Sequence, residues 1–573
     1  MAKDTRPATQ SWLAPRKVIF YTLFWGFHWM LFCIGWWEQA RNNDLAALNA
    51  LKFSVWISRG AGLVLSVDAT LLLLPMCRNL LKILRPTAPW LHLDESQWFH
   101  RQVAYALLLF TIVHTSAHYV NFFNVERSQV RPETAVQNHY TIAGGITGHV
   151  MLFCMLLIYT TAHANIRKQS FETFWYTHHL FIPFFLGLYT HATGCFVRDT
   201  APPVSPFAGE YFWKHCIGYE GWRWELWAGG IYLLERIYRE IRARRDTEII
   251  RVIRHPFETL EIQFRKPSMV YKPGQWLFLQ CPAVSRQQWH PFTITSCPFD
   301  PYISVHVRQL GDFTRDLADA VGAGPAQAEL YDDLEPDGIY EIALEAGQKM
   351  PALRIDGPYG APAEDVFGNE IAVLIGTGIG VTPFASVLKH IWHLRSIIGI
   401  GGNGAIRKLK RVEFIWIARD TNNFAWFQQL LNSLESQSLE NAEYEGEDFL
   451  RIHTYLTKKM DLDTVQNIAL NSVGADRDPL TELRTRTNFG RPNFKRLFGA
   501  LRTGIEDGTY MPNLDRYYPE IGEGGERKSK KSAPATNVGV YFCGPSPAAR
   551  EIKSACIAST TKDVKFKFWK EHF

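Results

Sequence analysis

Four histidines stand at spacings that could hold iron. His100 and His114 lie fourteen residues apart, one before and one inside a charge-free apolar stretch, and His178 and His191 lie thirteen apart in another. Fourteen helical residues rise about 21 Å and complete about 3.9 turns, so the first two imidazoles share one helix face. Thirteen residues leave a straight helix out of phase, and Pro183 between the second two can supply the kink that restores alignment. With both stretches running in the same direction, His100 pairs with His178 at one depth and His114 with His191 at the other, giving places for two stacked b-type haems. Imidazole on both axial positions leaves iron six-coordinate, which suits electron transfer rather than ligand binding. Arg59, and His118 one turn past His114, are expected just beyond the outer pair, where they could stabilise an acceptor that gains negative charge. As histidines left over from the two pairs, His28, His118, His149 and His179 have packing as the default expectation. Asp68, nine residues from Arg59, falls on the opposite helix face and is not expected to pair with it.

The later half carries two further groups of motifs. His290-Pro291-Phe292-Thr293-Ile294-Thr295-Ser296 closes a strand with an aromatic face and hydroxyls, the groups that a flavin ring needs. Arg308 and the turn Gly311-Asp312-Phe313-Thr314 follow, with a guanidinium and a glycine-hydroxyl turn suited to the pyrophosphate of FAD. Gly376-Thr377-Gly378-Ile379-Gly380-Val381-Thr382-Pro383 follows an apolar strand and opens a helix whose first amides can hold a dinucleotide phosphate. The pattern is GxGxG rather than the full GxGxxG. Cys543-Gly544-Pro545, after another apolar strand, offers a second close approach and places a thiol beside a nicotinamide. Arg419 and Arg491 could bind a 2′-phosphate and so favour NADPH, whereas the adjacent Asp420 suits a free ribose hydroxyl.

The chain that must position these groups has 573 residues, 47% apolar and 14% aromatic, which excludes disordered, collagen-like and coiled-coil classes. Nine cysteines without a CxxC pair exclude a disulfide-stapled miniature and the common zinc ribbons. Residues 1–245 carry 23 Lys+Arg against 15 Asp+Glu, so the net charge of +5 divides into +8 there and −3 beyond. That first part contains five stretches long enough to cross a bilayer, 18–37, 60–77, 103–123, 140–164 and 174–196. A sixth, 222–238, is interrupted by Arg223 and Glu225. Lys and Arg concentrate in 1–17, 78–102, 163–174 and 236–245, which places the N-terminus and the later half in the cytosol. The cluster Arg236, Arg239, Arg242, Arg244 and Arg245 reads as an anchor on anionic headgroups at the membrane edge. Membrane lipid is thus an expected partner and nucleic acid is not.

From Glu248 short strands separated by Pro and Gly point to a small antiparallel barrel, and after Asp356 alternating strands and helices point to a doubly wound α/β domain. The expected divisions are a cytosolic N-terminus 1–17, a membrane domain 18–245, a flavin barrel 246–360 and a nucleotide domain 361–573. Residues 503–536, rich in charge and glycine, read as a disordered insertion. Cys195 and Cys216, both in the last outer loop, are expected to form a disulfide.

Taken together, Phe99-His100, Tyr176-Thr177-His178-His179, the 290–296 segment, Asp356-Gly357-Pro358-Tyr359-Gly360, the 376–383 loop, Cys543-Gly544-Pro545 and the terminal Phe573 resemble the NADPH oxidase family of phagocyte-type flavocytochromes. The resemblance runs from about residue 18 to 573. It implies a six-helix transmembrane bundle holding two haems, followed by a ferredoxin-reductase-like antiparallel β-barrel and an α/β nucleotide-binding domain. It also implies FAD, NADPH, reduction of oxygen to superoxide on the far side, and Phe573 covering the flavin. A small partner protein in the membrane and cytosolic activators including a Rac-like GTPase belong to the same implication. Segments 325–350 and 503–536 depart from the family pattern, and no DxDxDG calcium loop is present. A ferric or cupric chelate reductase shares the four-histidine core and is the alternative enzyme; a non-catalytic scaffold or proton channel is the alternative from another class.

Overall fold

Uncharged apolar runs set the first half of the structure. The structure, a computed structural model, describes residues 15–42, 49–87, 95–129, 134–191, 224–256, 258–324, 339–342, 349–398, 408–445, 449–458, 475–510 and 535–571, together with the single positions 466, 468 and 470. The chain divides into two compact units, Met1–Ile237 and Tyr238–Phe573. Phe573, Cys195 and Cys216 lie outside the described residues, and the seven described cysteines are free thiols.

Among the described residues of the first unit, four helices are long and apolar enough to cross a membrane. They are α1 (Pro15–Arg41), α2 (Phe53–Leu73), α3 (Ser96–Ser128) and α4 (Ala143–Ala162). Glycine brings α1 and α2 together: a Cβ on Gly60 would lie 2.6 Å from the Phe32 carbonyl, and one on Gly35 only 3.1 Å from the Gly60 Cα. Small residues permit this backbone approach, which van der Waals contact then stabilises in an apolar medium. Ile19, Leu23, Met30, Ile112 and Phe153 are exposed, as side chains facing lipid would be. Asp68 is fully buried, and His28 bonds it through Nε2 at 2.8 Å while its Nδ1 reaches the Phe24 carbonyl at 2.6 Å. His28 is therefore the partner of the one acidic residue in that stretch, not mere packing.

The fifth apolar stretch is two helices, not one. Helix α5 (Phe171–His178) ends before His179, and α6 (Phe181–His191) begins after a two-residue turn. The break precedes Pro183, which sits in the first turn of α6, where a missing N–H sacrifices no helical bond. Two carboxylates of helix α7 (Trp224–Ala243) are partnered: Ser66 donates to Glu225 at 2.5 Å, and Glu235 accepts from the Asn79 and Leu80 amides at 2.6 and 3.3 Å, capping helix Arg78–Thr87.

The second unit opens as two antiparallel sheets. One has the order β5 (Ile303–Arg308), β2 (Thr259–Arg265), β1 (Glu248–His255), β6 (Tyr340–Glu341). The other has the order β4 (His290–Thr293), β3 (Trp276–Gln280), β7 (Arg354–Tyr359). Their inward residues, Leu260, Ile262, Leu277, Val305 and Ile355 among them, are fully buried. Helix α8 (Asp312–Ala320) closes this barrel. The arginine cluster differs from its reading as a headgroup anchor. Arg239 Nε donates to Asp356 Oδ2 at 2.7 Å, Arg242 Nε donates to Oδ1 at 3.1 Å, and Arg242 also reaches the Tyr359 hydroxyl at 2.9 Å. A buried carboxylate in β7 thus claims two of the five guanidiniums. Burial works against Asp356 ionisation, but the two guanidiniums and the Tyr359 hydroxyl hold its carboxyl below the ordinary range.

Six parallel strands follow in the order β11 (Asn488–Phe489), β10 (Leu450–Leu456), β9 (Arg411–Ala418), β8 (Ile371–Thr377), β12 (Thr536–Cys543), β13 (Val564–Lys570). Helices α9 (Thr382–Ile398), α10 (Ala425–Glu445), α11 (Phe494–Glu506) and α12 (Ser546–Ser559) connect or flank them. Both faces of the central strands are buried, as a covered parallel sheet requires. The 503–536 reading needs correction at both ends. Residues 503–506 continue α11 with Ile505 buried, Tyr510 is buried with its hydroxyl on Glu413 at 2.5 Å, and Thr536 opens β12. Apolar anchors at Ile505 and Tyr510 outweigh the local charge; residues 511–534 lie outside the described set.

Within the barrel, Glu261 joins two imidazoles, with His255 Nε2 at 3.1 Å and His306 Nε2 at 3.6 Å, and it also accepts from the Gln263 amide at 2.8 Å. Burial opposes ionisation of Glu261, but these neighbours hold it down to about 2, and burial pushes His306 down to about 4. An unfolded chain binds protons on a free histidine near pH 6.5 and a free glutamate near 4.5, so it gains protons before the folded barrel does. Stability is therefore expected to fall as pH drops from about 6.5 through 4, by on the order of 2–3 kcal/mol for His306. Glu261 should add a further loss as pH falls from about 4.5 toward 2. Thermal release of flavin from the solubilised full chain checks this, and His306→Asn should flatten the slope between pH 6.5 and 4.

Candidate active site

Long α3 presents His100 and His114, α5 ends on His178 and α6 ends on His191. The ring centres of His100 and His178 stand 6.2 Å apart, and those of His114 and His191 also 6.2 Å apart. An atom bound by two imidazoles requires close to this span: two metal–nitrogen bonds of about 2 Å, plus roughly 1 Å from each nitrogen to its ring centre, total about 6 Å. Backbone acceptors fix the tautomers. His100 Nδ1 donates to the Leu72 carbonyl at 3.0 Å and His114 Nδ1 to the Ser58 carbonyl at 2.8 Å. The Thr147 hydroxyl donates to the Ala143 carbonyl at 2.5 Å, so its oxygen accepts from His191 Nδ1 at 2.9 Å. In these three the Nε2 lone pair is left for a metal. Buried His178 Nδ1 has no hydrogen-bond partner. Space also fits a flat group: a Cβ on Gly148 would sit 3.3 Å from His191 Cε1, and one on Gly62 3.5 Å from His114 Cε1. The residues present therefore fit two haems.

His118 stacks edgewise on His114 at 4.5 Å, and Arg59 follows Ser58, whose carbonyl holds His114. Composition gave no sign of the group beside them, where the Tyr119 hydroxyl and His149 Nε2 lie 2.8 Å apart and the Tyr119 and His139 ring centres 4.2 Å apart. These two histidine contacts could have been sought from the spacing of 114, 118, 139 and 149.

In the barrel, His290, Pro291, Phe292 and Thr293 form β4, paired with β3. His290 stacks on Phe313 with ring centres 3.8 Å apart, and burial pushes its imidazole down to about 4, so it is neutral at pH 7. Gly311 caps α8, and Thr314 Oγ1 accepts from the Gly311 amide at 3.1 Å, leaving the turn as a helix N-terminus. Arg308 ends β5. Thr295 and Ser296 differ from the reading as flavin donors. The Thr295 hydroxyl lies 2.8 Å from both Ser304 Oγ and His306 Nδ1, and that of Ser296 lies 2.8 Å from the Tyr271 hydroxyl. Both side chains are buried in the barrel's own bonding, so the exposed face of the motif is 290–292.

In the nucleotide domain, Gly376 lies in register with Cys543 on one side and Trp416 on the other. Residues Gly378–Val381 make a tight turn before α9, which starts at Thr382 with Pro383 next. Gly378 has φ 55°, and a Cβ on Gly380 would lie 2.7 Å from the Cys543 carbonyl. One on Gly544 would collide with Thr377 Oγ1, and Pro545 caps α12. These glycines let two strand ends meet closely, and Trp416 Nε1 holds the Gly378 carbonyl at 3.2 Å. Burial pushes the Cys543 thiol up, so it stays protonated. Arg419 follows β9 and Arg491 follows β11, both exposed.

A helical membrane unit and a second unit of antiparallel barrel and doubly wound sheet define a membrane-embedded enzyme that moves electrons between a nicotinamide nucleotide, FAD and haem. The family models agree with this class. A ferric reductase like transmembrane component matches residues 61–189, an FAD-binding domain 245–363 and a ferric reductase NAD binding domain 370–557. NADPH oxidase 1 of Mus musculus is 33% identical over 90% of this chain and 87% of its own length. A superoxide-generating NADPH oxidase heavy chain of Dictyostelium discoideum is 32% identical over 92% of this chain and 91% of its own. NADPH oxidase 3 of Homo sapiens is 31% identical over 98% and 97%. The chain belongs to the NADPH oxidase family.

Because the Gly380 Cβ would meet backbone, Gly380→Ala must displace the glycine turn or the end of β12. A shift near 1 Å at a positioning site costs about a hundredfold. NADPH oxidation is expected to drop between about tenfold and a hundredfold. FAD content, read from the flavin absorbance of the purified chain, should stay at the wild-type level.

Proposed function

We propose that this enzyme takes electrons from cytosolic NADPH through FAD and two haems to oxygen on the outer face, producing superoxide. The observation that carries the reading is the pair of facing histidine couples, each 6.2 Å between ring centres. His100 and His178 would hold the inner haem, and His114 and His191 the outer one. When bound, FAD and haem supply hydride acceptance and one-electron transfer. The chain's residues supply placement. His290, Pro291, Phe292 and Thr293, with Arg308, Gly311 and Thr314, seat the flavin; Thr295 and Ser296 brace that seat from inside the barrel. Gly376, Thr377, Gly378, Gly380, Thr382 and Pro383 hold the pyrophosphate, Cys543, Gly544 and Pro545 border the nicotinamide, and Arg419 and Arg491 meet the 2′-phosphate. Arg59 and His118 stabilise negative charge arising on oxygen near the outer haem. Phe573 is assigned to cover the flavin by resemblance alone.

Six spans are proposed, with α5 and α6 together as the fifth and α7 as the sixth, and with the N-terminus and the Tyr238–Phe573 unit in the cytosol. The functional divisions follow as 18–245, 246–360 and 361–573. Lysine and arginine bias supports the orientation. A small membrane partner and cytosolic activators including a Rac-like GTPase are proposed from family membership.

Two haems per chain are expected by pyridine haemochrome assay. His114→Leu or His191→Leu should remove the outer haem, and His100→Leu or His178→Leu the inner one; one haem per wild-type chain would overturn the arrangement. Superoxide dismutase should intercept most cytochrome c reduction by activated membranes, and Arg59→Ala should lower oxygen reduction with both haem spectra intact. Ferric chelate reduced anaerobically as fast as oxygen is consumed in air, and unaffected by Arg59→Ala, would assign metalloreductase activity instead.

A further inference from the structure

An acidic residue after the strand next to the glycine-loop strand ordinarily selects NADH, because it accepts from the free ribose hydroxyls and repels a 2′-phosphate. Asp420 occupies that position, directly after β9 and Arg419, in an enzyme whose family uses NADPH. The sheet resolves the conflict. Strand β10 lies beside β9 in parallel, with Leu456 opposite Ala418. Thr457 then bonds the Ala418 carbonyl twice, through its amide at 3.0 Å and its hydroxyl at 3.0 Å. The next residue, Lys458, is thereby held beside Asp420, and its Nζ donates to Asp420 Oδ2 at 2.7 Å. Gly490, at φ 89°, donates to the Leu456 carbonyl at 2.9 Å, which brings Arg491 to the same edge. Among the described residues, three neighbouring strand ends therefore present Arg419, Lys458 and Arg491 beside Asp420, a formal balance of +2 for these four side chains.

We infer that Lys458 is a specificity-determining residue that neutralises Asp420 and so converts an NADH-type strand end into a seat for the 2′-phosphate of NADPH. As a stability contact the pair carries little weight, since Lys458 is 59% exposed and water screens it. Its effect is on the sign of the local charge. With Lys458 removed, one positive charge beside Asp420 is lost and the carboxylate weighs more heavily against an incoming phosphate dianion; with both removed, that repulsion is gone and Arg419 and Arg491 remain. Lys458 acts in part through Asp420 and is to that extent a positioning residue, so the test must separate charge selection from general damage.

The inference rests on the nucleotide seat proposed above, and the experiment distinguishes the two. In the solubilised full chain, Lys458→Ala should raise the KM for NADPH about tenfold with kcat unchanged, while the KM for NADH stays level or falls. Lys458→Arg should keep the NADPH preference, and Asp420→Asn in the Lys458→Ala background should recover most of it. Calorimetric binding of 2′,5′-ADP against 5′-ADP supplies a readout independent of turnover and should show the same pattern. Equal changes for both nucleotides, no change for either, or no recovery in the double variant would overturn the role of Lys458. Arg419→Ala serves as the control for the seat itself. Altered NADPH preference in Arg419→Ala with none in Lys458→Ala defeats only this inference, whereas unaltered preference in both defeats the seat as well.

Discussion

The membrane unit depends on imidazole N–H groups being donated to fixed acceptors. On α3 the donors His100 and His114 are fourteen residues apart, and on antiparallel α2 the accepting carbonyls of Leu72 and Ser58 are also fourteen apart. One helix-pair geometry is thus used twice, because both helices return to nearly the same face after that interval. Each bond ties up Nδ1 and leaves the Nε2 lone pair for a metal, and the two couples have equal spans of 6.2 Å. The glycine contact between α1 and α2 then acquires a function beyond packing. It fixes α2, and α2 supplies the acceptors.

A membrane interior penalises any polar group without a partner, and this constraint explains residues that carry no redox role. Asp68 is met by His28, Glu225 by Ser66, and Glu235 by the amides of a helix start. The same rule continues in the second unit, where Asp356 draws Arg239 and Arg242, and Glu261 draws His255, His306 and Gln263. Each carboxylate is a point that two or more elements must reach together, which makes it a restraint on their relative placement.

Several parts of this arrangement were legible from local pattern. Apolar runs without charge announced α1 to α4, alternation announced β1, β2, β3 and β5, and the glycine turn announced the start of α9. Histidine spacing announced the shared face of His100 and His114 because helical period is a property of the chain itself, whereas the helix break between His178 and His191 lies outside any period. Boundaries were less legible where tertiary contact overrides composition. The charged stretch after residue 503 looked unstructured, yet Ile505 and Tyr510 are buried and hold its beginning in the fold. Thr295 and Ser296 share a motif with His290, but they lie past the end of β4, where their hydroxyls are taken up by Ser304, His306 and Tyr271.

Charge partners were the least legible of all, for a physical reason. Arg239 meets Asp356 across 117 residues, His28 meets Asp68 across 40, and Lys458 meets Asp420 across 38. No period or motif links such positions; only the pairing of strands and helices does. An arginine-rich helix end therefore resembles a lipid anchor until β7 supplies the carboxylate, and an aspartate after β9 resembles an NADH determinant until β10 supplies the ammonium. The meaning of a charged residue in this protein is set by the residue that the fold places opposite it. Motifs name the residue types that a cofactor needs, whereas the partner of a charged residue is set by neighbours in space.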